Sequence, residues 1–304
     1  MGRTNFLTRL SRINVWRSSG RRAPHKPLLM LYALGRVEQG KKRLVSYCEV
    51  EKNLTSLLRR FGPPTQSFHP EFPFGRLPND ELWDIPGVEA VFRTKSGDLH
   101  KSSLIQHEIR GGLREADYEI LLGDDRLTQE AANLLLEAHF PQSMHSDIRS
   151  AVGLREFAVM REAWAVRDAL SRARKPAFRH EVLRAYEYRC AVCEYDIRLG
   201  DELLGLEAAH VKWHAAGGPD EVQNGLALCG FHHKAFDRGA WALEADEPSY
   251  RILISSEVHG RSDAIRLLRD YRGKGLQVPQ RSDWLPDAKF VRWHIKEVFR
   301  RPAV

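Results

Sequence analysis

The chain is poor in sulfur, with four Cys and four Met among 304 residues. Four thiols are too few for the disulfide framework of a small secreted scaffold. No apolar run approaches about 18 residues, so a membrane-spanning helix is not expected. The opening MGRTNFLTRLSRINVW has no apolar core of an export signal and no Ser or Thr at its sixth residue, as N-myristoylation needs. Internal repeats and low-complexity tracts are absent as well, which excludes solenoids and disordered linkers as the main architecture. What remains, 29% charged and 42% hydrophobic, suits about two ordinary domains, each with its own core. The expectation is a cytoplasmic protein in a reducing compartment, with no membrane partner.

Charge is divided unevenly. Residues 1–60 hold 14 Lys or Arg against 3 Asp or Glu, a balance of +11, whereas residues 181–304 hold 18 against 19, or −1. A polyanion would be gripped mainly by the N-terminal part, where Arg17, Arg21, Arg22 and Lys26 form one group and Lys41, Lys42 and Arg43 another.

The pattern predicts helices over 4–15, 27–39 and 48–61. Residues 68–83, rich in Pro and aromatics, read as an irregular loop or edge strand. A strand is expected over 88–92 and a helix over 128–140, capped by Thr128 and closed by Pro141. A long helical pattern follows over 147–174, and Lys175-Pro176 marks a boundary. Beyond it come a strand over 250–255, a short helix over 263–271 and a tail helix from Asp287, with Phe290, Trp293, Ile295 and Phe299 available for packing. The fold class is α+β: a mixed recognition domain over 1–150, a helical connector over 151–175, and a C-terminal metal-stabilised domain over 176–304.

Three of the four cysteines stand at metal-ligand spacing. Cys190 and Cys193 form a C-x2-C pair, answered 36 residues later by Cys229 and His232 in a C-x2-H pair. Three thiolates and an imidazole complete a tetrahedral structural zinc shell. Cys48, with no ligand-spaced neighbour, reads as a core thiol.

The segments A-A-H-V at 208–211, G-G-P-D at 217–220, N-G-L-x-L-C at 224–229 and H-H-x-x-F-D-x-G at 232–239 resemble the HNH, or ββα-metal, nucleases. The resemblance covers roughly 60 to 75 residues. It implies a hairpin laid against a helix, with strands over 203–211 and 225–228 and a helix over 232–238. It further implies His210 as general base, Asn224 fixing the loop that carries it, and His233 on a catalytic divalent cation such as Mg2+ or Mn2+. Hydrolysis of a phosphodiester needs such a base and such a cation. One departure is Ala209, where many relatives carry a metal ligand. Glu207 projects to the same side of the strand, and Asp237 lies one helical turn from His233, so either carboxylate can stand in. His214 matches no role and reads as a surface histidine.

A second resemblance lies in the N-terminal half. A-P-H-K-P-L-L-M-L-Y-A-L at 23–34, H-P-E-F-P-F-G-R-L at 69–77 and L-L-E-A-H-F-P-Q-S-M-H-S-D-I at 135–148 are similar to the sulfur-binding domain of McrA-type modification-dependent restriction endonucleases. These cut double-stranded DNA in which a non-bridging phosphate oxygen is replaced by sulfur. The resemblance implies an apolar sulfur pocket from Phe140, Pro141 and Met144. It also implies a rim of DNA contacts from Arg21, Arg22, His25, Lys26, His69, Arg76 and His145. Sulfur is softer and less hydrated than oxygen, and an ordinary phosphate oxygen would lose hydration in such a pocket without recompense. One HNH unit makes one cut, so a homodimer is expected for a double-strand break. Two other readings fit the residues: a nuclease triggered by another modification such as 5-methylcytosine, or, given Ala209, a DNA-binding protein of weak catalysis.

Overall fold

A computed structural model describes residues 2–16, 23–65, 67–155, 176–246 and 249–302. They fall into two compact units, Met1–Phe157 and Ala158–Val304. No helix among the described residues is long and apolar enough to cross a membrane.

The first unit is built around α2 (His25–Glu38), after α1 (Gly2–Ser11). Leu28, Leu29, Met30, Leu31 and Leu34 are all fully buried, so α2 is covered on every side rather than on the single apolar face its sequence suggests. Gly35 permits this: a Cβ there would collide with the carbonyl of Val152. Packed against α2 are α3 (Tyr47–Phe61), α4 (Glu71–Arg76), α7 (Asp125–His139) and α8 (His145–Val152). The rest of the unit is a three-stranded antiparallel sheet, with β1 (Val45–Ser46) and β2 (Trp83–Asp84) either side of β3 (Arg110–Leu113), together with α5 (Lys101–Gln106) and α6 (Glu115–Leu122).

Several sequence expectations are corrected here. Residues 68–83 are not irregular, because Pro70 serves as N-cap and Pro73 lies in the first turn of α4, where no backbone N–H needs a partner. The expected strand over 88–92 is a 3-10 turn, Val88–Ala90. Helix α7 starts at Asp125, capped by Asp124, whose Oδ1 accepts from the Leu127 N–H at 3.0 Å; Thr128 is buried inside it. The helical pattern over 147–174 is broken where α8 ends at Val152, because Gly153 adopts a left-handed φ of 75°. Residues 156–175, most of the expected connector, lie outside the described residues. Cys48, in the first turn of α3, is exposed rather than a core thiol.

The second unit contains the expected hairpin and helix. Strands β6 (Leu206–His210) and β7 (Gly225–Cys229) pair antiparallel in the register Leu206↔Cys229 to His210↔Gly225. Helix α10 (Gly230–Asp237) lies against them on one side and α9 (Pro176–Ala185) also packs on both strands. A small hairpin of β4 (Arg198–Leu199) and β5 (Glu202–Leu203) precedes them. Another, β8 (Trp241–Asp246) with β9 (Ser249–Ile254), follows. The short helix expected over 263–271 is a 3-10 turn leading into α11 (Arg266–Arg269). The tail forms α12 (Ala288–Glu297), N-capped by Asp287 and burying Phe290 and Trp293, with Phe299 buried just beyond it.

Candidate active site and metal centre

The C-x2-C pair sits on a tight turn in which the Glu194 N–H donates to the Cys190 carbonyl at 2.8 Å and the Cys190 N–H to that of Tyr195 at 3.0 Å. Cys229 ends β7 and His232 occupies the first turn of α10, so one strand-to-helix junction supplies the other two ligands. The four ligand atoms lie within 4.8 Å of one another. Cys229 Sγ is 3.2 Å from His232 Nδ1, Cys190 Sγ is 3.7 Å from the same atom, and Cys193 Sγ is 4.0 Å from Cys229 Sγ. Zinc–sulfur bonds of about 2.3 Å place tetrahedral ligands about 3.8 Å apart, so the donor set has the size and composition of a zinc shell. His232 Nε2–H donates to the Leu267 carbonyl at 2.7 Å, leaving the Nδ1 lone pair facing the thiols. Burial pulls the His232 pKa down, but hydrogen bonds to Cys190 and Cys229 outweigh it and push it up to about 9. Protons are thus shared within a buried cluster where a cation would replace them.

Asn224 is fully buried. Its Oδ1 accepts from the Lys212 N–H at 2.8 Å, and its Nδ2 donates to the carbonyls of Lys212 at 3.0 Å and Pro219 at 2.9 Å. This ties the end of β6 to the G-G-P-D turn. His210, the last residue of β6, has Nε2 2.7 Å from Asp220 Oδ1 and its ring stacked on Phe178, centroids 4.1 Å apart. His214 is exposed, 5.9 Å from the His210 ring.

His233, on α10, lies between both candidate carboxylates. Its Nδ1 is 2.5 Å from Glu207 Oε2 and its Nε2 is 3.3 Å from Asp237 Oδ2. Asp237 is buried and Glu207 half exposed. Ala209 is itself buried in the core. A hydrogen bond to His233 holds the Glu207 carboxyl below its usual range. Burial acts to lower the His233 pKa, yet the charges of Asp237 and Glu207 leave it raised. The two carboxylates face opposite nitrogens of one ring, so a cation bound by His233 would share one of them and not both.

In the first unit the expected rim residues are placed less openly. Lys26 Nζ is 2.5 Å from Asp80 Oδ2, and both side chains are largely buried. Arg76 is bidentate with Asp98, at 2.6 and 2.8 Å, while its guanidinium lies over the Phe72 ring. His69 Nδ1 is 2.9 Å from Glu71 Oε1. Burial, reinforced by the nearby His69, pushes His25 down to about 4, and burial also lowers His145, whose Nε2 is 3.0 Å from the Phe140 carbonyl. Of the three pocket residues, Phe140 and Met144 are buried in the core and only Pro141 presents surface. Arg21 and Arg22 lie outside the described residues. Sequence reasoning missed the partners: Asp80 and Asp98 carried no signal, Asp220 was visible only as a turn residue, and Phe178 precedes every quoted motif.

Residues 3–157 match the family described as "ScoMcrA-like, DNA sulfur-binding domain", and residues 190–244 match HNH endonuclease. No curated protein matches the chain. Among solved structures, the sulfur-binding domain of ScoMcrA complexed with phosphorothioated DNA is 24% identical, covering 49% of this chain and 95% of that one at a TM-score of 0.44. The corresponding domain of SprMcrA is 20% identical, with coverage of 50% and 94% and a TM-score of 0.44. The Type IV phosphorothioation-dependent restriction endonuclease ScoMcrA is 23% identical at a TM-score of 0.41, over 50% of this chain and 30% of that one. With half of its length matched by the first family and a nuclease domain behind it, the chain belongs to the ScoMcrA-like DNA sulfur-binding family and has the arrangement of a modification-dependent restriction endonuclease.

Proposed function

We propose that the first unit recognises phosphorothioated double-stranded DNA and that the second hydrolyses a phosphodiester bond at the site formed by His210, Asn224 and His233. The observation that carries the nuclease reading is the convergence of three features on one hairpin and helix. His210 sits at a strand end pinned by Asn224, and His233 stands on the adjoining helix between two carboxylates. His210 is the general base, taking a proton from water through the ring nitrogen not facing Asp220. Asn224 holds the loop in register. His233, with Glu207 or Asp237, holds the catalytic divalent cation, Mg2+ or Mn2+, which would neutralise charge on the phosphate and the leaving oxygen. Cys190, Cys193, Cys229 and His232 hold a structural zinc. The chain acts in the cytoplasm, and a double-strand break calls for two copies, as a homodimer.

Plasmids of one sequence, unmodified, phosphorothioated or carrying 5-methylcytosine, incubated with the protein and a series of divalent cations, test the reading. Cutting confined to the phosphorothioated plasmid is the expected result. Cutting of the methylated plasmid alone would replace the trigger, and cutting of none would overturn the nuclease assignment.

A further inference from the structure

Among the described residues, two contacts bear on the orientation of the His210 imidazole. Its Nε2 lies 2.7 Å from Asp220 Oδ1, and its ring lies flat on Phe178, with centroids 4.1 Å apart and planes 13° from parallel. Phe178 comes from α9, upstream of the residues matched as HNH endonuclease, and it is buried, 5% exposed. Its position depends on a glycine. Gly225 is the cross-strand partner of His210, and a Cβ there would collide with Val182 of α9 and press on the Phe178 ring at 3.2 Å. The glycine after Asn224 therefore lets α9 approach closely enough for an aromatic face to lie beneath the base. Asp220 is also anchored, since Asn224 Nδ2 donates to the carbonyl of the preceding Pro219 at 2.9 Å.

These contacts constrain different freedoms. A stacked aromatic face restricts the plane of the imidazole, but permits the ring to be turned over. An ionised carboxylate only accepts hydrogen bonds, so a nitrogen facing it must carry the proton, and the other keeps its lone pair. We propose that Phe178 and Asp220 are the positioning residues of His210: the phenyl face fixes the ring plane, and the carboxylate selects the Nε2-protonated tautomer, leaving Nδ1 as the basic atom. This deepens the nuclease reading and rests on it for the role of His210.

The full chain, labelled with 15N-histidine, is compared with Asp220→Ala, Asp220→Asn, Phe178→Leu and Phe178→Tyr. Ring nitrogen–proton spectra report the His210 tautomer, with the signal assigned by its loss in His210→Ala. Single-turnover cleavage of phosphorothioated duplex with Mn2+, at saturating protein, reports the chemical step. The wild type is expected to hold the Nε2–H tautomer. Asp220→Ala should mix tautomers and slow cleavage about ten- to hundred-fold, with DNA affinity changed by less than about two-fold because the grip lies elsewhere. Asp220→Asn keeps an accepting oxygen and should restore the tautomer and most of the rate. Phe178→Leu should keep the tautomer but slow cleavage about ten-fold, whereas Phe178→Tyr, which keeps the ring, should not. An unchanged tautomer or rate in Asp220→Ala overturns the carboxylate's role. A wild-type rate in Phe178→Leu, or a slow Phe178→Tyr that melts and binds zinc normally, overturns that of the phenyl face. Should the wild type cut no DNA with any divalent cation, the nuclease reading fails, while the tautomer comparison still decides whether Asp220 selects it.

Discussion

Three of the four histidines between residues 210 and 233 differ chiefly in what their nitrogens face. His232 gives one nitrogen to a carbonyl and the other to thiols, His233 stands between two carboxylates, and His210 meets Asp220 across an aromatic stack. These histidines carried different expected roles in the sequence, because metal knuckles and the HNH signature are local patterns. Several of their partners were not legible, since Leu267, Asp220 and Phe178 are joined to them only by the fold. His210→Ala is expected to cut cleavage at least about 100-fold while leaving DNA affinity nearly unchanged, since a general base acts in the chemical step. Single-turnover rates beside binding isotherms check this. In the first unit, His25 is pushed from 6.5 to about 4 by burial and by His69. Its pKa is lowered on folding, so the unfolded chain binds the extra proton between those values. The stability this group leaves intact above about pH 6.5 is therefore lost as pH falls toward 4. The partly exposed ring limits the loss to about 2 kcal/mol. Urea titrations at pH 7 and pH 4.5 should show that difference shrinking by a similar amount in His25→Gln.

At the scale of elements, the second unit was the more readable. Its hairpin, α10 and the tail helix fall within a few residues of the expected bounds, because short apolar runs there coincide with a motif and Asp287 caps the tail. The first unit was harder for reasons visible in particular residues. Helix α2 was expected within a few residues of its bounds although it is buried all round, whereas α4 hides behind prolines placed where a helix start tolerates them. Strands β1 and β2 are two residues each, too short for alternation to register. The cluster of Cys190, Cys193, Cys229 and His232 is the element where binding of a metal would be coupled to folding. Cys190 is fully buried in it, and its turn is hydrogen-bonded to β7 through the Ala191 N–H and the Ala227 carbonyl at 2.7 Å. Cys190→Ser should reduce bound zinc from about one per chain to near zero and cost on the order of 5 kcal/mol or more. Metal analysis with a thermal melt of the same sample measures both, and a well-folded wild type without zinc would remove the structural-metal assignment.

Across the whole molecule, the charge division and the observed ion pairs together sort the cations that can touch DNA. Lys26, expected at the rim, is committed to Asp80 in a largely buried pair, whereas Lys41 and Lys42 are exposed. Lys26→Ala should therefore act through folding, costing about 3 kcal/mol by leaving the buried Asp80 charge with the Asn14 N–H but without its cation. Replacing Lys41 and Lys42 by Ala should leave stability alone and reduce the slope of log affinity against log salt by about 2 if each neutralises one phosphate. Phosphorothioate discrimination has a different origin. Burial lowers the pKa of His25 and of His145, and Arg76 is paired with Asp98, so these expected rim residues offer little uncompensated charge. Such a surface suits a soft, weakly hydrated sulfur better than an oxygen. Affinity for modified and unmodified duplex, measured on the His210→Ala chain so that neither is cut, should fall steeply with salt for both. Their ratio should hold nearly constant, because counterion release is common to the two DNAs and the sulfur contact is local. A polar replacement at Pro141 should lower that ratio without changing either slope, and equal affinities at every salt concentration would leave a nuclease with some other trigger.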